Sequence, residues 1–244
     1  MLDTIKARLH FGTLSPAEEA DFRRELNFTN YRRYRIFTLV LVPIFIVLPV
    51  VDLLNYRNGV WADLNYRTLF CLHSAICVLL LLSVGLLRVR PPRTAGEVTR
   101  LHSAVVVFVR IFMMLGLLLV AFVDLRLSGQ LNAYVLMTVG IGVVTILPHV
   151  ESLVFYAICL ALLLAGMAQL IEATGTLQSH VINGTVMTIV ALVLSRVVYS
   201  GYRLNYIHEN KIHRQNEDIR AMDEKLRVSE LEYHQLFENS PIGV

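Results

Sequence analysis

The chain has 244 residues, of which 55% are hydrophobic and 17% charged, and its formal net charge is +3. A mean hydropathy of +0.58 excludes an ordinary soluble domain, in which about a quarter of residues are charged. So small a net charge gives no footing for nucleic-acid binding, and the lipid bilayer is the expected solvent and partner.

The opening residues, MLDTIKARLHFGTLSPAEEADFRRELNF, lack the apolar core and small-residue cleavage site of a signal peptide, so the N-terminus is expected to be retained. Ser15, Pro16 and Glu18 form a helix start: a capping serine, a proline suited to the first turn, and a glutamate that closes a capping box. Residues 1–35 are therefore predicted to be a cytoplasmic amphipathic segment leading into lipid.

A hydrocarbon layer of ~30 Å takes ~20 apolar helical residues, because each backbone group in lipid must bond within its own helix. Six stretches qualify: Ile36–Leu54, Arg67–Leu87, Leu101–Leu125, Leu131–Leu147, Val150–Ile171 and His180–Tyr199, the fourth being the shortest. Pro43 and Pro49 predict a kink in the first. Cys71, Cys77 and Cys159 fall inside apolar runs, with neither zinc-type spacing nor a disulfide framework, and read as buried packing residues. Gly116, Gly140, Gly142, Gly166 and Gly184 read as small residues that let helices approach.

Basic residues set the direction. Seven Lys and Arg precede the first span, four (Arg88, Arg90, Arg93, Arg100) lie between the second and third, and seven run from Arg196, near the end of the sixth span, to Arg227. Only Arg57, Arg67 and Arg126 face the other side, and Arg110 lies within a span. The positive-inside rule then puts both termini in the cytoplasm. The outer connections are short, and Tyr56, Trp61, Tyr66 and Tyr134 stand where an interfacial aromatic belt is expected.

After the sixth span, Ile212, Ile219, Leu226 and Tyr233 recur every seven residues, with Gln215, Met222, Ser229 and Leu236 three positions later. This is a heptad pattern with polar interruptions, and it predicts a short parallel coiled coil that pairs two copies. Lys225 would face Glu230 of the second copy, whereas Asp218 would face Asp223. A solvated single helix is the competing reading. Pro241 disfavours helix at Ser240, and Gly243 loosens the turn.

The segment LRVSELEYHQLFENSPIGV, Leu226 to Val244, resembles the N-terminal edge of PAS domains, where a helix ending in Leu-Phe-Glu-Asn-Ser-Pro turns into the first strand. The exit from the sixth span, Leu194 to Ile219, is similar to that of membrane-anchored diguanylate cyclases. The resemblance implies an all-α membrane protein with six transmembrane helices and a C-terminal cytoplasmic coiled-coil stalk. It divides the chain into a transmembrane sensor (36–200), a signalling helix (201–236) and the start of a truncated PAS domain (237–244). It further implies a multi-pass protein of the bacterial inner membrane that feeds a PAS module and then a diguanylate cyclase or histidine kinase. The 244 residues hold no motif for cyclic-di-GMP synthesis or phosphotransfer, so this part is expected not to be an enzyme.

Ionisable groups at membrane depth are site candidates by default. Asp52, Asp124, Gln169, Glu172, His180 and Asn183 would surround an outer polar pocket for an unknown small ligand, or else serve as helix-end polar groups. Arg110 would snorkel to the cytoplasm, or meet Glu151 or an anionic ligand. His73 with His180, and His102 with His149, make two pairs at two depths, each able to ligate a metal ion or haem b; interfacial histidines that meet water are the plainer reading. His73 and Cys77 would suit a soft metal. Besides a sensory input domain, a haem- or metal-binding redox sensor and a small transporter or channel remain open.

Overall fold

The computed structural model of the protein describes residues 14–170 and 174–238. Six α-helices and two short 3-10 turns make up the described residues, with no strand among them. The helices are α1 (Pro16–Arg57), α2 (Leu64–Leu86), α3 (Arg100–Ser128), α4 (Asn132–Val144), α5 (His149–Leu170) and α6 (Thr174–Glu238). All except α4 are long and apolar enough to cross a membrane.

Local chemistry explains the helix ends. The Ser15 capping box is formed: Ser15 N–H donates to Glu18 Oε2 at 2.8 Å, and Glu18 N–H donates back to Ser15 Oγ at 3.4 Å. From there α1 runs unbroken through position 35 and includes both Pro43 and Pro49. Asp63 caps α2, accepting from Asn65 N–H at 2.8 Å. α3 stops at Gly129, whose φ of +66° is the left-handed C-cap that glycine adopts without steric cost.

The expected fourth span, Leu131–Leu147, differs in the structure. Its helix has 13 residues, and residues 145–148 are non-helical. At ~1.5 Å per residue α4 is ~20 Å long, short of a bilayer core. The physical reason is Pro148, which disfavours helix at Leu147. Ile146 and Leu147 are nonetheless buried, so this open backbone lies inside protein.

Two units are separated along the chain, Leu14–Ser200 and a second that includes Gly201–Glu238. In the first, α1 packs on α2, α2 on α3 and α3 on α4, while α3 also touches α1 and α5. α3 is the most enclosed of the long helices and contributes Val109, Met113, Leu118 and Ala121 to the core. Helices with no hydrophobic drive toward each other in lipid associate through close fit and hydrogen bonds. Gly142 is one such point, because a Cβ there would lie 3.0 Å from the Ala191 carbonyl oxygen on α6. The outer faces carry exposed apolar residues such as Leu39, Val47, Leu82, Val154 and Val193, which suits contact with acyl chains.

Two expectations change. Tyr134 is fully buried rather than in an interfacial belt, sharing a 2.6 Å hydrogen bond with Thr188 Oγ1. Of the cysteines, only Cys159 is buried; Cys71 is exposed on the apolar surface. α6 begins at Thr174 and continues past Gly201 as one helix. In the second unit Ile212, Ile219, Met222, Leu226 and Tyr233 are exposed along that helix, with Arg227–Glu224 and His213–Glu217 pairs on its surface. Of the Leu236–Gly243 segment, the helix reaches Glu238; the stop at Ser240 and Pro241 lies outside the described residues.

Candidate functional site

Two clusters of polar groups lie within the helical bundle, one toward each end. The first joins Asp52 near the end of α1 to His73 in α2. Both are almost fully buried, at 6% and 7% exposure, and His73 Nδ1 stands 2.6 Å from Asp52 Oδ2. A buried carboxylate is costly unless paired and hydrogen-bonded, so this contact satisfies two groups together. The bond to Nδ1 also fixes the ring and leaves Nε2, which has no hydrogen bond among the described residues, as the reactive edge.

The connection between α1 and α2 holds Asp52 in place. Trp61 Nε1–H donates to the Asp52 backbone oxygen at 2.9 Å, and Arg67 Nε–H donates to the Trp61 oxygen at 2.7 Å. The Trp61 ring lies against Phe70 and Tyr56 at 4.9 Å and 5.0 Å between centroids. His73 opens on a cavity of about 560 Å3 among α1 to α4. Phe37, Phe45, Met113 and Met137 form its apolar walls, while His73, Asp124 and Asn132 supply its polar end. Asp124 lies within electrostatic reach of both His73 and Asp52. Such a site suits a molecule with an apolar body and a small polar head.

The second cluster is built around the non-helical stretch. Three residues on one face of α1 hold it. The Asn30 side chain donates to the Ile146 oxygen at 2.9 Å and accepts from Ile146 N–H at 2.8 Å. Arg33 donates to the Val143 oxygen at 3.2 Å, and the Tyr34 hydroxyl is 2.6 Å from Thr145 Oγ1. Non-helical backbone at membrane depth needs such partners, since water is absent. Beside it is a cavity of about 190 Å3 whose polar lining includes Arg23, Asn27, Ser103, Arg110 and Glu151. Arg110 does not pair with Glu151: its Nε is sealed from solvent without a hydrogen bond, and its guanidinium stacks 5.6 Å from the Phe155 ring centroid.

Of the expected outer pocket the structure brings together Asp52 and Asp124, with His73, expected instead as a metal or haem ligand, between them. Gln169 and Asn183 are exposed and His180 is half-buried, and none of the three lines the cavity. Glu172 lies outside the described residues. His102 has a structural task. Its Nδ1 accepts from Thr99 N–H at 3.1 Å, and Nε2 then donates to the Arg90 oxygen at 3.1 Å, leaving no nitrogen for a metal or haem. His149 meets the Tyr199 ring edge-on at 4.8 Å. Among the described residues no group of three or more His, Cys, Asp or Glu is placed to hold a metal ion. Asn30, Arg33 and Tyr34 escaped the sequence reading; their spacing on one helix face, just inside an arginine-rich segment, was the available signal.

Comparison with known protein families, with curated proteins and with solved structures gave no match.

Proposed function

We propose that the chain is the membrane-embedded sensory input region of a bacterial signalling protein, paired with a second copy along α6 and passing its signal to a cytoplasmic PAS module and a diguanylate cyclase. The observation that carries this reading is α6 itself. One uninterrupted helix of 65 residues is apolar over its first part and polar after Gly201, with apolar side chains exposed at heptad spacing from Ile212. A helix of that composition links a bilayer segment to a cytoplasmic rod, and a shift or rotation of it would change the spacing of two attached output modules. The PAS-like edge at Leu226 to Val244 supports the same destination.

Both termini cytoplasmic requires six crossings, and the fourth must then be composite. The 13 helical residues of α4 give ~20 Å, and the four non-helical residues 145–148 add up to ~13 Å at a maximum of ~3.3 Å each, together enough for a ~30 Å core. The Asn30 bonds to both backbone groups of Ile146, together with the burial of Ile146 and Leu147 inside protein, make that non-helical portion tolerable at membrane depth. Lys and Arg asymmetry supports the orientation. In this reading the stimulus is an apolar molecule with a small polar head, held in the His73 cavity.

The test is disulfide crosslinking of single cysteines placed from Ile212 to Leu226 in the full receptor in membranes. Strong crosslinks at Ile212, Gln215, Ile219, Met222 and Leu226 and weak ones at the positions between them support a parallel pair; uniform or absent crosslinking overturns it. A small transporter is the second reading, favoured by the interrupted helix beside Arg110, since transporters place unwound backbone at binding sites. Proteoliposome flux that disappears on Arg110→Gln would select it.

A further inference from the structure

The cavity beside Arg110 carries an inference that is independent of whether the protein senses or transports. Four segments enclose it: the first part of α1, the beginning of α3, the non-helical residues 146–148 and the first turn of α5. At about 190 Å3 it lies below the ~300–1,000 Å3 of pockets for drug-sized molecules, and is of a size for a small metabolite. Leu26 and Val106, both buried, form part of an apolar floor.

The charges around it are incompletely matched. Arg23 is held by Glu19 at 3.6 Å. Arg110 has a sealed Nε without a hydrogen bond and the Phe155 ring against its guanidinium. Glu151 faces the same cavity, yet among the described residues no ion pair joins it to Arg110. Opposite charges that share so small a space near lipid would ordinarily close on each other, since a buried guanidinium nitrogen without an acceptor is costly. A cation and an anion facing one cavity are complementary to a ligand that carries both charges.

We propose that this cavity binds a small zwitterion of the amino-acid class, its carboxylate on Arg110 and its ammonium group on Glu151. Asn27 and Ser103 supply further polar contacts, and the Leu26–Val106 floor takes a short apolar side chain. The guanidinium offers two parallel donors to a carboxylate, and the glutamate accepts from N–H groups. A ligand with only one of the two charges leaves the other protein charge unmatched and binds more weakly.

The test uses the full chain in lipid nanodiscs, with the twenty protein amino acids and β-alanine as probes. Thermal unfolding and calorimetric titration give the affinities. At least one probe binds, and both its des-amino carboxylic acid and its decarboxylated amine bind about 10- to 100-fold more weakly. In Glu151→Gln the amino acid and the des-amino acid bind alike; in Arg110→Gln the amino acid and the amine bind alike. Arg24→Gln, a change at an exposed pair with Asp21 away from the cavity, leaves the ranking intact. The proposal is overturned if no probe binds at millimolar concentration, if single-charge analogues match the zwitterion in the unmodified protein, or if neither variant alters the ranking. Should Arg110→Gln fail to fold, the exposed Glu151→Gln and the analogue series decide the matter by themselves.

Discussion

Replacing Asn30 with alanine gives the sharpest test of how the interrupted helix is held. The Asn30 amide is buried and makes both bonds to Ile146, at 2.9 Å to the oxygen and 2.8 Å from the N–H. Its loss strands a backbone donor and a backbone acceptor at a fully buried residue. Each buried group left unsatisfied costs about 1–3 kcal/mol, so the sum is about 2–6 kcal/mol, with the low end reached if water enters from the adjoining cavity. Asn30→Asp keeps the acceptor for Ile146 N–H but sets a carboxylate oxygen against the Ile146 oxygen, and should destabilise at least as much. Asn27→Ala, one turn earlier at an exposed position, should stay within about 0.5 kcal/mol. Reversible unfolding in mixed micelles measures all three, and hydrogen exchange at the Ile146 amide reports the site itself. If Asn30→Ala unfolds within 0.5 kcal/mol of the unmodified protein and the Ile146 amide stays equally protected, the stretch is held by something other than α1.

Gly142→Ala should destabilise by about 1–3 kcal/mol, since its methyl would lie 2.8 Å from the Tyr156 hydroxyl and 3.0 Å from the Ala191 oxygen; Gly140→Ala, with nothing within 4 Å, is the neutral control. Asp52→Ala should cost about 3–5 kcal/mol because it strands His73 in the interior, and adding His73→Leu should recover part of that loss, which a double-mutant cycle of unfolding free energies measures. Tyr134→Phe should cost only about 0.5–1.5 kcal/mol, because Thr188 keeps its own 2.7 Å bond to the Gly184 oxygen; a loss above 3 kcal/mol in the same unfolding assay would contradict this. A fixed concentration of amino-acid ligand should raise the unfolding midpoint of the protein in nanodiscs by clearly more than that of Arg110→Gln.

The sequence by itself determined that this is a helical membrane protein, where most helices lie and how the first begins. Lipid makes that possible, because a bilayer without water demands long apolar helices and so writes them into composition. The Ser15 capping box was legible for a similar reason, since its partners are three residues apart. Only the tertiary structure decided what the polar residues do. Asn30 meets Ile146 across 116 residues, Tyr34 meets Thr145 across 111, and His73 finds Asp52 rather than another histidine. Hydropathy fixes depth in the membrane, but not which helix stands beside which or how each is rotated. Those two choices rest on close side-chain fit and pairwise hydrogen bonds, and they decide which residues hold the non-helical stretch that follows α4.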